Sequence, residues 1–262
     1  MRFSFVEEPP QIVLLETPLV QALCQVRFAP VPELVDDDSE RQIAAHLSEE
    51  YPIRGTVQGQ QVPLFGGPAT VPIETFRTFE TVDGQWKVIL AQDAVTLETQ
   101  AYEDRDDLLN RLSLVLSVLI EVRQPPKVTR VGVRYTDRVL NPSGLRRLVH
   151  PSLLGMLPHV DDELVHHQST QVGLQDVSTD SQVLVRSLLL PPNAQFDTNI
   201  AAVPDPSWVL DIDSSNQVAT AFDVDGIVER ARLLAKRAYQ VFYWAVTDEF
   251  RNEYGVRKGD DS

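Results

Sequence analysis

The chain has 262 residues, 43% hydrophobic and 23% charged, ordinary globular proportions that exclude a disordered or fibrous protein. Its 38 acidic and 23 basic side chains leave a formal net charge of −15, a field that repels nucleic acid and anionic membranes. One cysteine, Cys24, excludes a disulfide framework and any thiolate metal cluster.

The most apolar run, 112–120, contains Ser113 and Ser117 and falls well short of the roughly twenty residues that a bilayer-crossing helix needs. The opening MRFSFVEEPPQ has one basic residue followed by acids and prolines, which is not a secretory signal. A cytoplasmic protein is expected. The acids cluster at 36–38, 103–107, 161–163 and 260–261, as solvated loops and helix starts or as a surface for a basic partner.

Along the chain, Val20, Ala22, Cys24, Val26 and Phe28 alternate with Gln21, Gln25 and Arg27, the period of a strand with one buried face. Cys24 lies on the apolar side, and no nearby motif supplies the base that a catalytic thiol needs, so it reads as a packed core thiol. Ser39 is the expected N-cap of a helix over 39–51, with Ile43, His46 and Leu47 on one face. The runs 74–82 and 86–90 flank Asp83-Gly84, the turn pair of a hairpin. A further strand is expected over 94–101.

Asp106 and Asp107 then open a helix with apolar positions 108, 112, 115, 116 and 119, which must stop before Gln124 because Pro125 and Pro126 follow. The second half repeats this grammar: a strand over 127–140, a short helix over 144–156, and extended segments over 163–176, 182–190 and 208–213. A long helix begins near Asp223 or Asp225, with core positions 227, 231, 234, 238, 242 and 245, and extends to Tyr254.

The expected class is therefore α+β: two pattern repeats of strand, helix, three strands and helix, forming an antiparallel sheet with long helices packed on one face. The units are 1–126 and 127–255, followed by a flexible tail at 256–262, and are read as one continuous domain. A twin arrangement resembling the TATA-binding-protein topology fits this order as topology alone. Two loosely joined domains divided at Pro125-Pro126 is the alternative.

The stretches LVQALCQVRF, VTLETQAYEDRDDLLNRL, RVGVRYTDRV and YQVFYWAVTDEF resemble a sporadically distributed, largely uncharacterised bacterial family of roughly this length. The resemblance spans nearly the whole chain. It implies the fold pattern above and no particular activity.

The sequence holds no Walker pattern, no G-x-G-x-x-G and no G-x-S-x-G. Gly66-Gly67 before Pro68 reads as a loop. His150, His159, His166 and His167 lack zinc spacing. No metal or cofactor is expected, and the missing motifs weigh against an enzyme. The best polar constellation is on two strands. Arg130, Arg134 and Arg138 share one face of RVGVRYTDR with Gly132 and Thr136, Asp211 and Asp213 share one face of WVLDIDSS, and Arg186 lies near enough in pattern to join them.

Guanidinium groups beside two carboxylates suit an anionic ligand or partner, and equally a salt-bridge ladder. A magnesium site on Asp211, Asp213 and Asp176 is a weaker reading. On the last helix, Tyr239, Tyr243 and Trp244 spread too widely for one buried stripe, so they meet either another layer of the fold or a partner. Two functions remain. One is an acidic protein-interaction module of the antitoxin, immunity or defence-associated kind, with a basic protein as partner, no direct nucleic-acid or membrane binding, and a homodimer compatible. The other is a small anionic-ligand binder or enzyme using the Arg/Asp face.

Overall fold

A computed structural model of the chain describes residues 3–59, 74–197 and 200–257. The glycine pair at 66–67 and the acids at 260–261 lie outside the described residues. The elements follow in the order β1 (Val13–Leu14), β2 (Leu19–Phe28), α1 (Asp37–Leu47), β3 (Ile53–Gly59), β4 (Glu74–Glu80), β5 (Trp86–Leu90), β6 (Ala94–Thr99), α2 (Arg105–Arg123), β7 (Lys127–Leu140), α3 (Leu145–Leu148), β8 (Gln168–Asp176), β9 (Ser181–Leu190), β10 (Ser207–Asn216), β11 (Thr220–Ala221), α4 (Val224–Ala245), α5 (Asp248–Glu253) and β12 (Val256–Arg257). Mixed helix and strand around a large open sheet establish the α+β class. Among the described residues the hydrogen-bonded strand order is β3-β4-β5-β6-β2-β7-β10-β9-β8, with β11 paired to β7. The pairings β3–β4, β4–β5, β5–β6 and β8–β9 are antiparallel.

Two compact units divide the chain, and their limits differ from 1–126 and 127–255. The first gathers Met1–Ala22, Val133–Ser215 and Leu233–Ser262; the second gathers Leu23–Gly132 and Asn216–Arg232. The proline pair is a local helix stop, and a chain that re-enters each unit cannot be divided at one point in sequence.

In the second unit, Cys24, Val26, Tyr51, Phe79, Val88, Leu97 and the inward face of α2 (Leu108, Leu112, Val115, Leu116, Leu119) are all but fully buried. Burial pushes the Cys24 thiol up to about 12, so it remains a neutral core group. The helix starts are set by carboxylates. The Asp36 side chain accepts from the Asp38 and Ser39 amides, so Asp36 is the cap of α1, and Ser39 sits buried in the first turn. Asp104 caps α2 by accepting from the Asp107 amide. The Asp83-Gly84 hairpin forms with Gly84 at φ 68°, a left-handed conformation that glycine adopts without a Cβ penalty.

In the first unit, β7 and β10 carry Val139, Trp208, Leu210 and Ile212 into a core closed by Ala238, Val241, Ala245 and Phe250. The helix expected over 144–156 is only one turn long. Pro151 has no amide to continue the ladder, and short 3₁₀ turns follow at Pro151–Leu153 and Leu157–His159. The final helix also breaks: α4 ends at Ala245, Val246 bridges to Val149, and Thr247 caps α5 by accepting from the Phe250 amide. Part of the expected tail is ordered, because β12 pairs with β1.

Replacing Asp104 with Ala is expected to lower stability by about 1 kcal/mol in chemical denaturation, with Asn keeping most of it.

Candidate functional site

The strongest polar cluster lies in the first unit, on β7, β9 and β10 and the connection 191–206 that follows β9. Strand alternation puts Arg134, Thr136 and Arg138 on one face of β7. Asp211, in the central strand β10, is completely buried. Its Oδ1 accepts from Arg134 Nε at 2.5 Å and Thr136 Oγ1 at 3.0 Å. Its Oδ2 accepts from Arg186 Nε at 2.8 Å, with Arg186 Nη2 at 2.6 Å. Arg134 turns its other arm to Asp197, Nη1 to Oδ2 at 2.8 Å. The Phe196 ring lies 5.6 Å from the Arg134 guanidinium carbon and 5.2 Å from that of Arg186, within cation–π range.

Burial disfavours the Arg134 charge, but the Asp211 and Asp197 carboxylates outweigh it and raise its pKa. Two cations and two anions thus cancel inside this network.

Arg138 is held differently. It is 8% exposed, and its Nη1 donates to the Ala201 carbonyl at 2.7 Å. Its Nε and Nη2 are buried without a hydrogen-bond partner among the described residues. Burial lowers its pKa.

Its neighbour Asp137, on the opposite face of β7, is 4% exposed. Desolvation first, and the Asp211 charge second, push its carboxyl up to about 8. Sequence reasoning passed over Asp137, although a lone acid at an odd position among Val131, Val133, Tyr135 and Val139 was the available signal. Asp197 and Phe196 carried no signal, because irregular connections have no period.

The structure thus brings Arg134, Arg186 and Asp211 into direct contact and sets Arg138 on a backbone carbonyl. Arg130 belongs to the second unit, where its Nη1 donates to Gln25 Oε1 at 3.4 Å and its guanidinium lies over Gly132. A Cβ at Gly132 would stand 2.5 Å from that Nη1, so glycine makes the room. Asp213 is half-buried on β10. Asp176 is separately engaged. It accepts from Ser178 and Thr179 and pairs with Arg237 Nη2 at 2.5 Å, and these contacts outweigh its burial and lower its pKa.

The aromatic residues of α4 meet other parts of their own unit. Tyr239 Oη donates to the Pro10 carbonyl and accepts from the Ile12 amide. Trp244 packs on His150 and Phe3, at 4.2 and 5.5 Å between ring centres. Tyr243 lies under the Arg251 guanidinium at 4.4 Å. Gln240 donates to the Phe5 and Glu7 carbonyls, so the leader runs along this helix face as a strap. No helix among the described residues is long and apolar enough to cross a membrane. No protein-family model matches the chain, and no curated protein matches it significantly.

Replacing Asp211 with Ala leaves two guanidinium groups facing a site without its carboxylate, and should cost about 3–5 kcal/mol in denaturant melts. The exposed Arg232–Asp106 pair should cost at most about 1 kcal/mol when broken.

Asp137 gives a pH signature. Its unfolded carboxyl titrates near about 4, and its folded one at about 8, so the folded state holds the extra proton between those values. Its contribution is complete below about pH 4 and declines as pH rises to about 8. Asp137→Asn should flatten that slope; a variant as pH-dependent as wild type would contradict this assignment.

Proposed function

We propose that the protein is an interaction module that takes an extended, basic segment of another protein by strand addition to β8, in the manner of an antitoxin, immunity or defence-associated component. The observation carrying this reading is the state of that edge. β8 ends the strand order, and among the described residues no strand pairs with its outer side. Ser169, Gln171, Val172, Gly173 and Gln175 are exposed. Edge strands are ordinarily guarded by charges, proline or bulges, and residues 168–175 contain neither charge nor proline. A free edge supplies main-chain hydrogen bonds to an added strand, while alternate side-chain positions set its specificity.

Charge selects the occupant. A second copy brings a second net charge of −15 and is repelled, whereas a basic segment is drawn in, most strongly at low salt. A cytoplasmic location belongs to the same proposal, as does the derivation of the element order from two repeats with the long helices packed on one sheet face.

The test is capture with the tagged full-length chain from its native host, at low and high salt. Amides of adjacent strand residues point to opposite edges, so one of Val172→Pro and Gly173→Pro removes an outward donor and keeps the wild-type melting temperature. Wild type should hold a stoichiometric, salt-sensitive basic partner that this variant loses. Retention of the partner by both variants, or recovery of a homodimer alone, overturns the proposal.

A further inference from the structure

We infer that the segment received by β8 is amphipathic, with apolar residues at alternate positions along the side of Val172 and its basic residues on the opposite side. This rests on the strand-addition reading above and specifies what the added strand carries. Three observations support it. First, the register pairs Thr170 with Ser187, Val172 with Val185 and Leu174 with Val183, and residues opposite each other across a strand pair lie on one face of the sheet. On β9 this row is at most 1% exposed. On β8 Leu174 is half-buried against the core of the first unit, and Val172 is 38% exposed. The row is closed on one strand and open on the next, so apolar side chains two residues apart on an added strand land beside Val172 and Leu174 and cover them.

Second, more apolar surface borders the same row. The turn carrying Gly155 lies against the start of β8, where a Cβ on Gly155 would stand 3.0 Å from Thr170 Oγ1 and 3.1 Å from Gln168 Nε2. The next residue, Met156, is 71% exposed, and an unbranched thioether adapts to varied apolar partners. Third, charge separates the two faces. Asp176 is the one acid in the row 168, 170, 172, 174 and 176, and it is already paired with Arg237, so a lysine or arginine on that side would be buried unpaired. The opposite face presents Ser169, Gln171, Gly173 and Gln175, all exposed and uncharged, where a basic side chain stays hydrated. Gln171 lies opposite Arg186, whose charge is taken by Asp211. The exposed Asp161 and Glu163, on the segment leading into β8, add to the attraction.

The test uses the full-length protein and three nine-residue peptides: lysine alternating with valine, the same lysines and valines arranged in pairs, and glutamate alternating with valine. Amide hydrogen exchange is read by mass spectrometry over 168–176. The alternating lysine–valine peptide should slow exchange there, more so at low salt, and bind about tenfold more tightly than the paired isomer or the glutamate peptide. Val172→Thr, which keeps a β-branched residue at the edge, should weaken that peptide about fivefold with the melting temperature unchanged. Equal protection by the paired isomer or by the glutamate peptide, or an undiminished affinity in Val172→Thr, overturns the inference and leaves strand addition standing. No protection of β8 by any of the peptides overturns it as well, and the capture experiment with the proline variants then decides strand addition by itself. The wild-type comparison of the peptides stands even if the variant loses stability.

Discussion

The carboxylate of Asp211 is the constraint on which the first unit turns. A charge with no exposed surface is tolerated only if every oxygen is paired, and here Arg134 and Thr136 take one oxygen and Arg186 the other. Those partners come from β7 and β9, the two strands that neighbour β10. The ion network and the strand register therefore specify each other, because a one-residue slip would carry the arginines to the opposite face. Arg134 extends the constraint outward. Its second arm holds Asp197, and Phe196 lies against both guanidinium groups, so an irregular connection is tied to the sheet. Arg138 follows on the same face of β7 and is held by the Ala201 carbonyl.

The acidic surplus is used more locally than its size implies. Asp36 and Asp104 start α1 and α2, where a carboxylate meets both unpaired amides and the positive end of the helix dipole. Asp37 and Glu40 both pair with Arg77, and Asp107 pairs with Arg111, whose guanidinium lies 4.5 Å from the centre of the Trp86 ring. Two of the clusters that look like free negative surface therefore have structural duties. What remains is a long-range field, which favours one sign of partner and rate of approach more than it specifies a docking patch.

Much of the architecture was legible because it rests on period. Alternation located β2, β7, β9 and β10, helical spacing located α2 and α4, and Asp-Gly located the β4–β5 turn. The errors came where two local signals competed. Ser39 and Asp36 are both good caps, and the two amides within reach of Asp36 decided between them. Apolar spacing persists through the short helix after Gly144 and the long helix to Tyr254 and predicts both as continuous, yet Pro151 breaks the first and the Thr247 cap restarts the second. The aromatic residues of α4 were too many for one stripe. The leader strap accounts for Tyr239 and Trp244, and nothing in α4 itself announces a strap.

By itself the sequence determined which residues share a face: the three arginines on β7, the two aspartates on β10, Cys24 among apolar neighbours. Side-chain direction follows from the strand period, which is local. Only the tertiary structure decided that Arg134 and Arg186 meet Asp211, that Arg130 serves another unit, and that Arg138 donates to the Ala201 carbonyl. Those outcomes depend on what the adjacent strand and the overlying connection present at each position. That is set by how distant segments pack, which the spacing of residues along a single strand does not encode.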